Sequence, residues 1–352
     1  MALIGTVALA ALLPASGSAA RVAGDAATGA VSLLFLLYGA RLSTREALDG
    51  LRHWRLHLTV LACTFVLFPL LGLAARGLVP WALTPDLYRG LLFLCLVPST
   101  IQSSIAFTSI ARGNVPAAIC AGSFSSLAGI LVTPLLAALL LGGGAGGVSV
   151  DSVGRIALQL LVPFVAGQLL RRLGDRRRRA RADGRPGADA PRPGFLDRHR
   201  TLLGLVDRGS ILLVVYTAFS EGMVRGIWHT VSPARLGVLL VVEAVLLTAM
   251  LALSWYGGRR LGFGRADRVA IQFAGSKKSL AAGLPMASVL FGAQASLAVL
   301  PLMLFHQMQL MVCAVLARRR ARDPLEEPVD SLEEPVAEPR ATANPAALTP
   351  RR

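Results

Sequence analysis

The sequence predicts an all-α polytopic membrane protein: ten transmembrane helices in two inverted five-helix repeats. Three observations carry that prediction. Hydrophobic residues make up 54% of the chain against 16% charged, a membrane composition rather than a soluble one. Apolar runs recur near the length of about 20 residues that spans a bilayer. They cover 1–14, 26–42, 57–79, 88–111, 115–141, 153–170, 205–221, 233–257, 267–291 and 295–317. Finally, the arginines fall between these runs and concentrate on alternate loops.

The loops set the orientation. Arg41, Arg45, Arg52 and Arg55 follow the second run, and the stretch Arg171 to Arg200 follows the sixth. Arg259, Arg260, Arg265 and Arg268 follow the eighth, and Arg318, Arg319, Arg320 and Arg322 follow the tenth. The opposite side carries few basic residues: Arg21, Arg76, Arg89, Arg225 and Arg235. The positive-inside rule then puts both termini in the cytoplasm of a multi-pass protein of the plasma (inner) membrane, with the lipid bilayer as its solvent. The first run, Met1 to Leu13, ends in Pro14-Ala15-Ser16-Gly17-Ser18-Ala19-Ala20, like a signal peptide. No basic residue precedes it, so it reads as a short first membrane helix. The net charge of +16 follows from topology. No soluble basic domain carries it, which argues against nucleic acid as a partner.

The chain divides accordingly. Residues 1–142 form the first five-helix repeat, and 143–170 hold the sixth helix, which opens the second. Residues 171–200 are a basic cytoplasmic linker, read as a solvated topological anchor, with phospholipid binding as the alternative. Residues 201–317 supply the remaining helices. Residues 318–352 are rich in Glu and Pro beyond Asp323, too poor in apolar residues to fold, and are expected to be a disordered tail. Five is odd, so the two halves have opposite orientation in the membrane, as in many transporters built from inverted repeats.

Such transporters place their binding site where helices at matching positions are interrupted. The fourth run holds Pro98-Ser99-Thr100-Ile101-Gln102-Ser103-Ser104. The ninth run, fourth of the second half, holds Gly275-Ser276-Lys277-Lys278-Ser279. Both place breakers and polar groups inside an apolar helix, tolerated at membrane depth only beside a protein-lined cavity. Lys277 and Lys278 are the only lysines of the chain. Burying one at bilayer depth costs on the order of 2.5–3.5 kcal/mol on insertion scales, so the pair invites a function.

Catalysis has no support. There is no H-E-x-x-H, no G-x-S-x-G and no pair of intramembrane aspartates. Cys63, Cys95, Cys120 and Cys313 are isolated in apolar runs, without metal-ligand spacing, and read as small buried hydrophobes. No cofactor is expected.

At the two interruptions the chain resembles the bile acid:sodium symporter family, and within it the branch whose ninth span reads G-S-K-K-S-L-A-x-G-x-P-M. The matching pieces are Val97-Pro98-Ser99-Thr100, Ala111-Arg112-Gly113-Asn114, Thr133-Pro134, Thr64-Phe65-Val66-Leu67-Phe68-Pro69, the lysine motif and His306-Gln307-Met308-Gln309. The resemblance covers about residues 1–317. The resemblance implies a ten-helix fold with core and panel domains, whose fourth and ninth helices are broken and cross at mid-bilayer. It also implies two sodium ions beside the crossing and an organic anion between the domains. Carried over by position, the polar residue of the third helix is Thr64, that of the fourth is the pair Ser103 and Ser104, and the fifth keeps Ser123, Ser125 and Ser126.

The chain departs from its relatives at the sodium sites. The carboxylate and amide of the ninth helix fall at Phe273 and Lys277. The hydroxyls at the start of the fifth fall at Ala118 and Gly122. Sodium is a hard cation that needs oxygen ligands. Only Ser103, Ser104, Ser123 and Ser126 remain as side-chain candidates for it.

The other candidates each have two readings. Lys277 is a fixed cation that holds an anion, stands where sodium would be, or titrates in transport. Alternatively it is structural and bonds freed carbonyls. Lys278 carries the same choice, and neighbours on a helix point about 100° apart, so the pair is not expected to face one ligand. Ser103, Ser104 and Gln102 line a ligand site or satisfy the opened backbone. Ser276 is a neighbour for the Lys277 ammonium. Gln272 and Gln309 are cavity amides. His306 is a proton relay or a helix–helix hydrogen bond. Glu243 is an intramembrane carboxyl without a family motif, and Asn114 suits a tight turn. The function these features support is secondary active transport of a small organic anion by alternating access, without the usual sodium sites. The alternatives are a proton-coupled or exchange transporter using Lys277 or His306, and a non-transport membrane regulator of ion homeostasis.

Overall fold

The computed structural model describes residues 2–41, 53–141, 158, 160–174, 200–224, 226, 232–292 and 295–323. The regular structure among them is helical: α1 (Ala2–Leu12), α2 (Gly17–Arg41), α3 (Trp54–Leu78), α4 (Pro85–Leu96), α5 (Gln102–Ile110) and α6 (Val115–Leu141). There follow α7 (160–174), α8 (Arg200–Val224), α9 (Pro233–Arg260), α10 (Arg265–Gly275), α11 (Leu280–Phe291) and α12 (Ala295–Arg320). Most of the expected linker 171–200 and of the expected tail 318–352 lies outside the described residues, but helix continues past the expected boundaries, through 171–174 in α7 and through Arg320 in α12.

Six of these helices, α2, α3, α6, α8, α9 and α12, are long and apolar enough to cross a membrane. Their outward faces are apolar: Leu131, Leu135 and Leu139 on α6, Val241 and Val245 on α9, Met311 and Val315 on α12 are exposed. That pattern suits a hydrocarbon solvent, where the backbone must be satisfied within helices. Helix α2 begins at Gly17, ahead of the expected start at 26. Ala19, Ala20, Ala23 and Ala26 are strong helix formers. They carry the helix through a stretch whose Gly, Arg21 and Asp25 hide it from an apolar count.

Helix starts follow local chemistry. Thr84 accepts from Leu87 N (3.3 Å) and Ser232 from Arg235 N (3.4 Å), each followed by a proline at the first helical position, where the missing N–H costs nothing. Asn114 caps α6 by accepting from Ala117 N (3.0 Å). Its amide donates to Asp267 (2.7 Å) and its backbone N–H to Ala266 O (2.9 Å). The turn residue therefore also pins the start of α10. Preceding it, Arg112 sits in the left-handed region at φ 55°. The buried Arg265 guanidinium donates to the carbonyls of Ala111, Arg112 and Arg320, joining the ends of α5 and α12 to α10.

The helices pack in two groups. Helix α8 lies along α1 and α2, and α2 meets α7 at very close range. A Cβ on Gly39 would stand 2.0 Å from Phe164 O, and one on Gly167 2.0 Å from Leu36 O. Only glycine permits that approach, the small-residue contact common between membrane helices. In the second group α4 packs on α12, α9 on α10, α11 on α12, and α6 on α3, α5 and α10. Helix α8 touches the second group through α11 and α12. Phe68, Phe93, Phe273 and Phe305 are fully buried, with Phe68 and Phe305 edge to face at 6.1 Å.

Candidate functional site

Two helix interruptions meet in the second group. One is the segment 97–101 between α4 and α5, the other 276–279 between α10 and α11. A broken helix leaves carbonyls without intrahelical partners, and buried ones must be satisfied elsewhere. At the end of α4 four consecutive carbonyls find partners elsewhere in the chain. Cys95 O and Val97 O accept from Lys278 Nζ (both 2.8 Å), Leu96 O from Thr133 Oγ1 (2.8 Å), and Pro98 O from Ser279 N (2.9 Å). Ser99 N, which a continuous helix would send to Cys95 O, donates instead to Ser125 Oγ (3.0 Å).

The end of α10 is braced in return from the first interruption. Ser99 Oγ donates to Ala274 O (2.5 Å), and Ser104 Oγ lies 3.0 Å from Phe273 O and 2.6 Å from Thr100 O. Ser276 Oγ donates to Gln272 O (2.5 Å). Each interruption thus supplies part of the hydrogen bonding that the other lacks, and α6 adds to it through Ser125 and Thr133.

Lys278 is fully buried and its ammonium is saturated. Besides Cys95 O and Val97 O it donates to Thr64 O (2.9 Å), and it lies 4.1 Å from the Phe68 ring centroid. The third carbonyl is free for a local reason. Residues Cys63–Leu67 form a π turn, in which Phe68 N reaches back to Cys63 O. Thr64 O therefore loses its α-helical donor, and the next candidate, Pro69, has no N–H. The Thr64 hydroxyl bonds Val60 O (2.8 Å), so the residue acts through its carbonyl. The Lys278 backbone is held too. Gln309 Oε1 accepts from Lys278 N (2.9 Å), and Gln309 Nε2 donates to Lys278 O (2.8 Å).

Lys277, also fully buried, is treated differently. Its ammonium has one hydrogen bond, to Ser103 Oγ (3.0 Å), and lies 4.4 Å from the Phe107 ring centroid and 6.0 Å from that of Phe273. An ammonium carries three protons, so two lack an acceptor among the described residues. Ser103 lies in the first turn of α5, whose N-terminus no side chain caps. Its partner helix α11 is capped by Ser279, which accepts from Ala282 N (3.2 Å). A half-satisfied cation and an uncapped helix N-terminus, with its partial positive charge, stand together.

The remaining candidates spread out. Gln272 donates to Leu251 O (2.9 Å), with Oε1 buried and unbonded. His306 Nδ1 lies 2.9 Å from Gln309 Nε2. Gln102 is exposed at the start of α5. Ser123 and Ser126 make no hydrogen bond to the crossing; of the serines on α6 it is Ser125 that reaches the break. Glu243 is fully buried on α9 with neither oxygen bonded. Ser99, Ser125 and Thr133 prove as important to the crossing as any residue singled out for it. Their sequence signal was a hydroxyl at or facing a proline-broken run, a pattern too common to stand alone.

The fold and this crossing define a class: polytopic helical membrane proteins whose interrupted helices brace one another in the protein interior. The chain matches the SBF-like CPA transporter family over residues 1–322, and it belongs to that family. It is 53% identical to an uncharacterized protein of Pseudomonas aeruginosa, over 92% of each chain. It is 47% identical to the putative symporter YfeH of Escherichia coli, again over 92% of each. The sodium/bile acid cotransporter 7 of Danio rerio is 29% identical over 82% of this chain and 81% of its own. The resemblance to bile acid:sodium symporters therefore holds, and the protein is a membrane transporter rather than an enzyme.

Proposed function

We propose that this protein is a secondary active transporter of a small organic anion, moved by alternating access and bound at Lys277. The observation that carries the reading is the state of the Lys277 ammonium: fully buried, with one hydrogen bond, beside the uncapped N-terminus of α5. Two unmatched N–H groups and a helix N-terminus both favour negative charge. A carboxylate, sulfate or phosphate oxygen would complete the lysine and meet the free amides of α5. The name symporter borne by YfeH and the cotransporter names of the vertebrate relatives agree with a transported small solute.

The architecture supports the same reading. Counting the α4–α5 and α10–α11 pairs as one broken span each, and adding α1 and α7, brings the six long helices to ten spans. The interrupted pairs are the fourth and ninth, as two inverted five-helix repeats require. The group of α1, α2, α7 and α8 corresponds to a panel, and the group around the crossing to a core. With both termini cytoplasmic, alternating access is rocking of one group on the other.

Sodium is not the coupling ion in this reading. The Ser103 hydroxyl, the best side-chain oxygen near the break, accepts from Lys277. A fixed positive charge there repels a second cation. The experiment is uptake into proteoliposomes from a mixture of small radiolabelled carboxylates, sulfates and sulfonates, at zero sodium. Sodium-independent uptake lost in Lys277→Ala supports the proposal. Uptake that needs sodium and survives Lys277→Ala overturns it.

One observation favours proton coupling as a second reading. Gln309 spends one N–H on Lys278 O and directs the other at His306 Nδ1. That ring nitrogen must therefore carry a lone pair, and its protonation would break the grip of Gln309 on the second interruption. A pH-dependent uptake that flattens in His306→Phe would support this coupling.

A further inference from the structure

We infer that the three carbonyls around the Lys278 ammonium form a monovalent-cation site that the protein fills with its own side chain. Thr64 O, Cys95 O and Val97 O converge on Nζ at 2.8–2.9 Å, and the Phe68 ring closes a fourth side at 4.1 Å. These are neutral oxygen ligands and a π face, the donors that hold a monovalent cation without help from an anion. No cluster of His, Cys, Asp and Glu able to hold a metal occurs among the described residues. None of the four groups that face the ammonium is a carboxylate, so a divalent ion would lack a charged ligand among them.

The cage does not depend on the lysine for its existence. Thr64 O is released by the π turn and Pro69, Cys95 O by the bond from Ser99 N to Ser125, and Val97 O by the break itself. All three belong to α3 and to the end of α4, whereas the lysine arrives from the other interruption. The cage also sits at the negative end of α4, which favours a cation. The tether is short and fixed, because Gln309 grips the Lys278 backbone through both its N–H and its carbonyl.

The site therefore holds a cation that is tethered to the chain. A transporter whose crossing is held together by a tethered ammonium needs no free cation to assemble it. That functional consequence rests on the transport reading above; the cation site itself does not.

Removing the lysine side chain leaves the carbonyls converging on a small space. Their spacing suits ammonium or a large alkali ion, whereas a smaller ion must draw the carbonyls inward. The test is the thermal stability of purified Lys278→Ala in matched ammonium, potassium, sodium and choline chlorides. A ligand bound only by the folded state raises its melting temperature. The expected result is a saturable rise of roughly 5 °C in ammonium, a smaller one in sodium and none in choline. Wild type should show no difference among the four salts. Equal melting of the variant in all four, or the same ammonium response in wild type, overturns the inference. A second readout covers a variant too unstable to purify: the yield of monodisperse Lys278→Ala extracted from membranes in ammonium against choline. A higher yield in ammonium supports the site, and equal yields, zero included, overturn it. Neither readout uses a substrate, so a failed transport assay leaves the cation site standing, and the reverse.

Discussion

Lys277 and Lys278 are chain neighbours with opposite hydrogen-bond economies. The Lys278 ammonium donates to three backbone carbonyls, while that of Lys277 donates to one hydroxyl, Ser103. Both are fully buried, so burial alone does not tell them apart. One lysine is saturated by the protein's own carbonyls, and the other is the one proposed above to take an anion.

The first prediction follows for Lys277. A hydrogen bond to a charged group is worth about 1.5–3 kcal/mol, so Lys277→Ala should weaken anion uptake by about 10- to 100-fold. Its folding should be near wild type, because the buried charge goes together with its desolvation cost. Lys277→Glu should be worse toward an anion and is the variant to test for acquired sodium dependence. Uptake kinetics alongside thermal melting separate the two effects.

Lys278→Met in ordinary buffer should behave in the opposite way. Each orphaned buried carbonyl costs about 1–3 kcal/mol, and three are orphaned while the methionine fills the space that an ion would need. The loss should appear as a markedly lower melting temperature, measured by intrinsic fluorescence. A wild-type melting temperature would show that the carbonyl bonds contribute little.

Gln309→Leu removes the donor to Lys278 O and the acceptor for Lys278 N at once. Two buried backbone groups at the second interruption then lack partners. Hydrogen exchange around 276–280 should speed up strongly, while exchange in α9 stays slow. Uniform acceleration would mean that Gln309 stabilises the whole fold and not the break.

Asn114→Ala should cost about 1 kcal/mol for the lost cap of α6, and somewhat more for the bond to Asp267. Asn114→Asp keeps the cap but sets two carboxylates face to face. It should melt below Asn114→Ala, and high salt should narrow the gap. Melting curves of both variants at low and high salt check this.

The two interruptions were legible because Pro98, Gly275 and the serines beside them break an apolar run, and such breaks need few residues to announce themselves. The two lysines do face different partners, but not because helical neighbours diverge: both lie in the non-helical segment 276–279. Which lysine is saturated was not legible. It depends on where Thr64 O and Cys95 O point, and those carbonyls are exposed by a π turn and by a serine on another helix. The π turn left only Pro69 as its trace, and a proline in a membrane helix permits several distortions. Helix α2 was placed too late because its first turns are alanine-rich but not strongly apolar.

The most direct test of the central claim is a thermal-shift screen of purified wild type and Lys277→Ala against small carboxylates, sulfates, sulfonates and phosphate esters, without sodium. The account predicts at least one anion that raises the melting temperature of wild type and leaves that of Lys277→Ala unchanged. An anion that stabilises both proteins equally, or that stabilises wild type only when sodium is present, would contradict it.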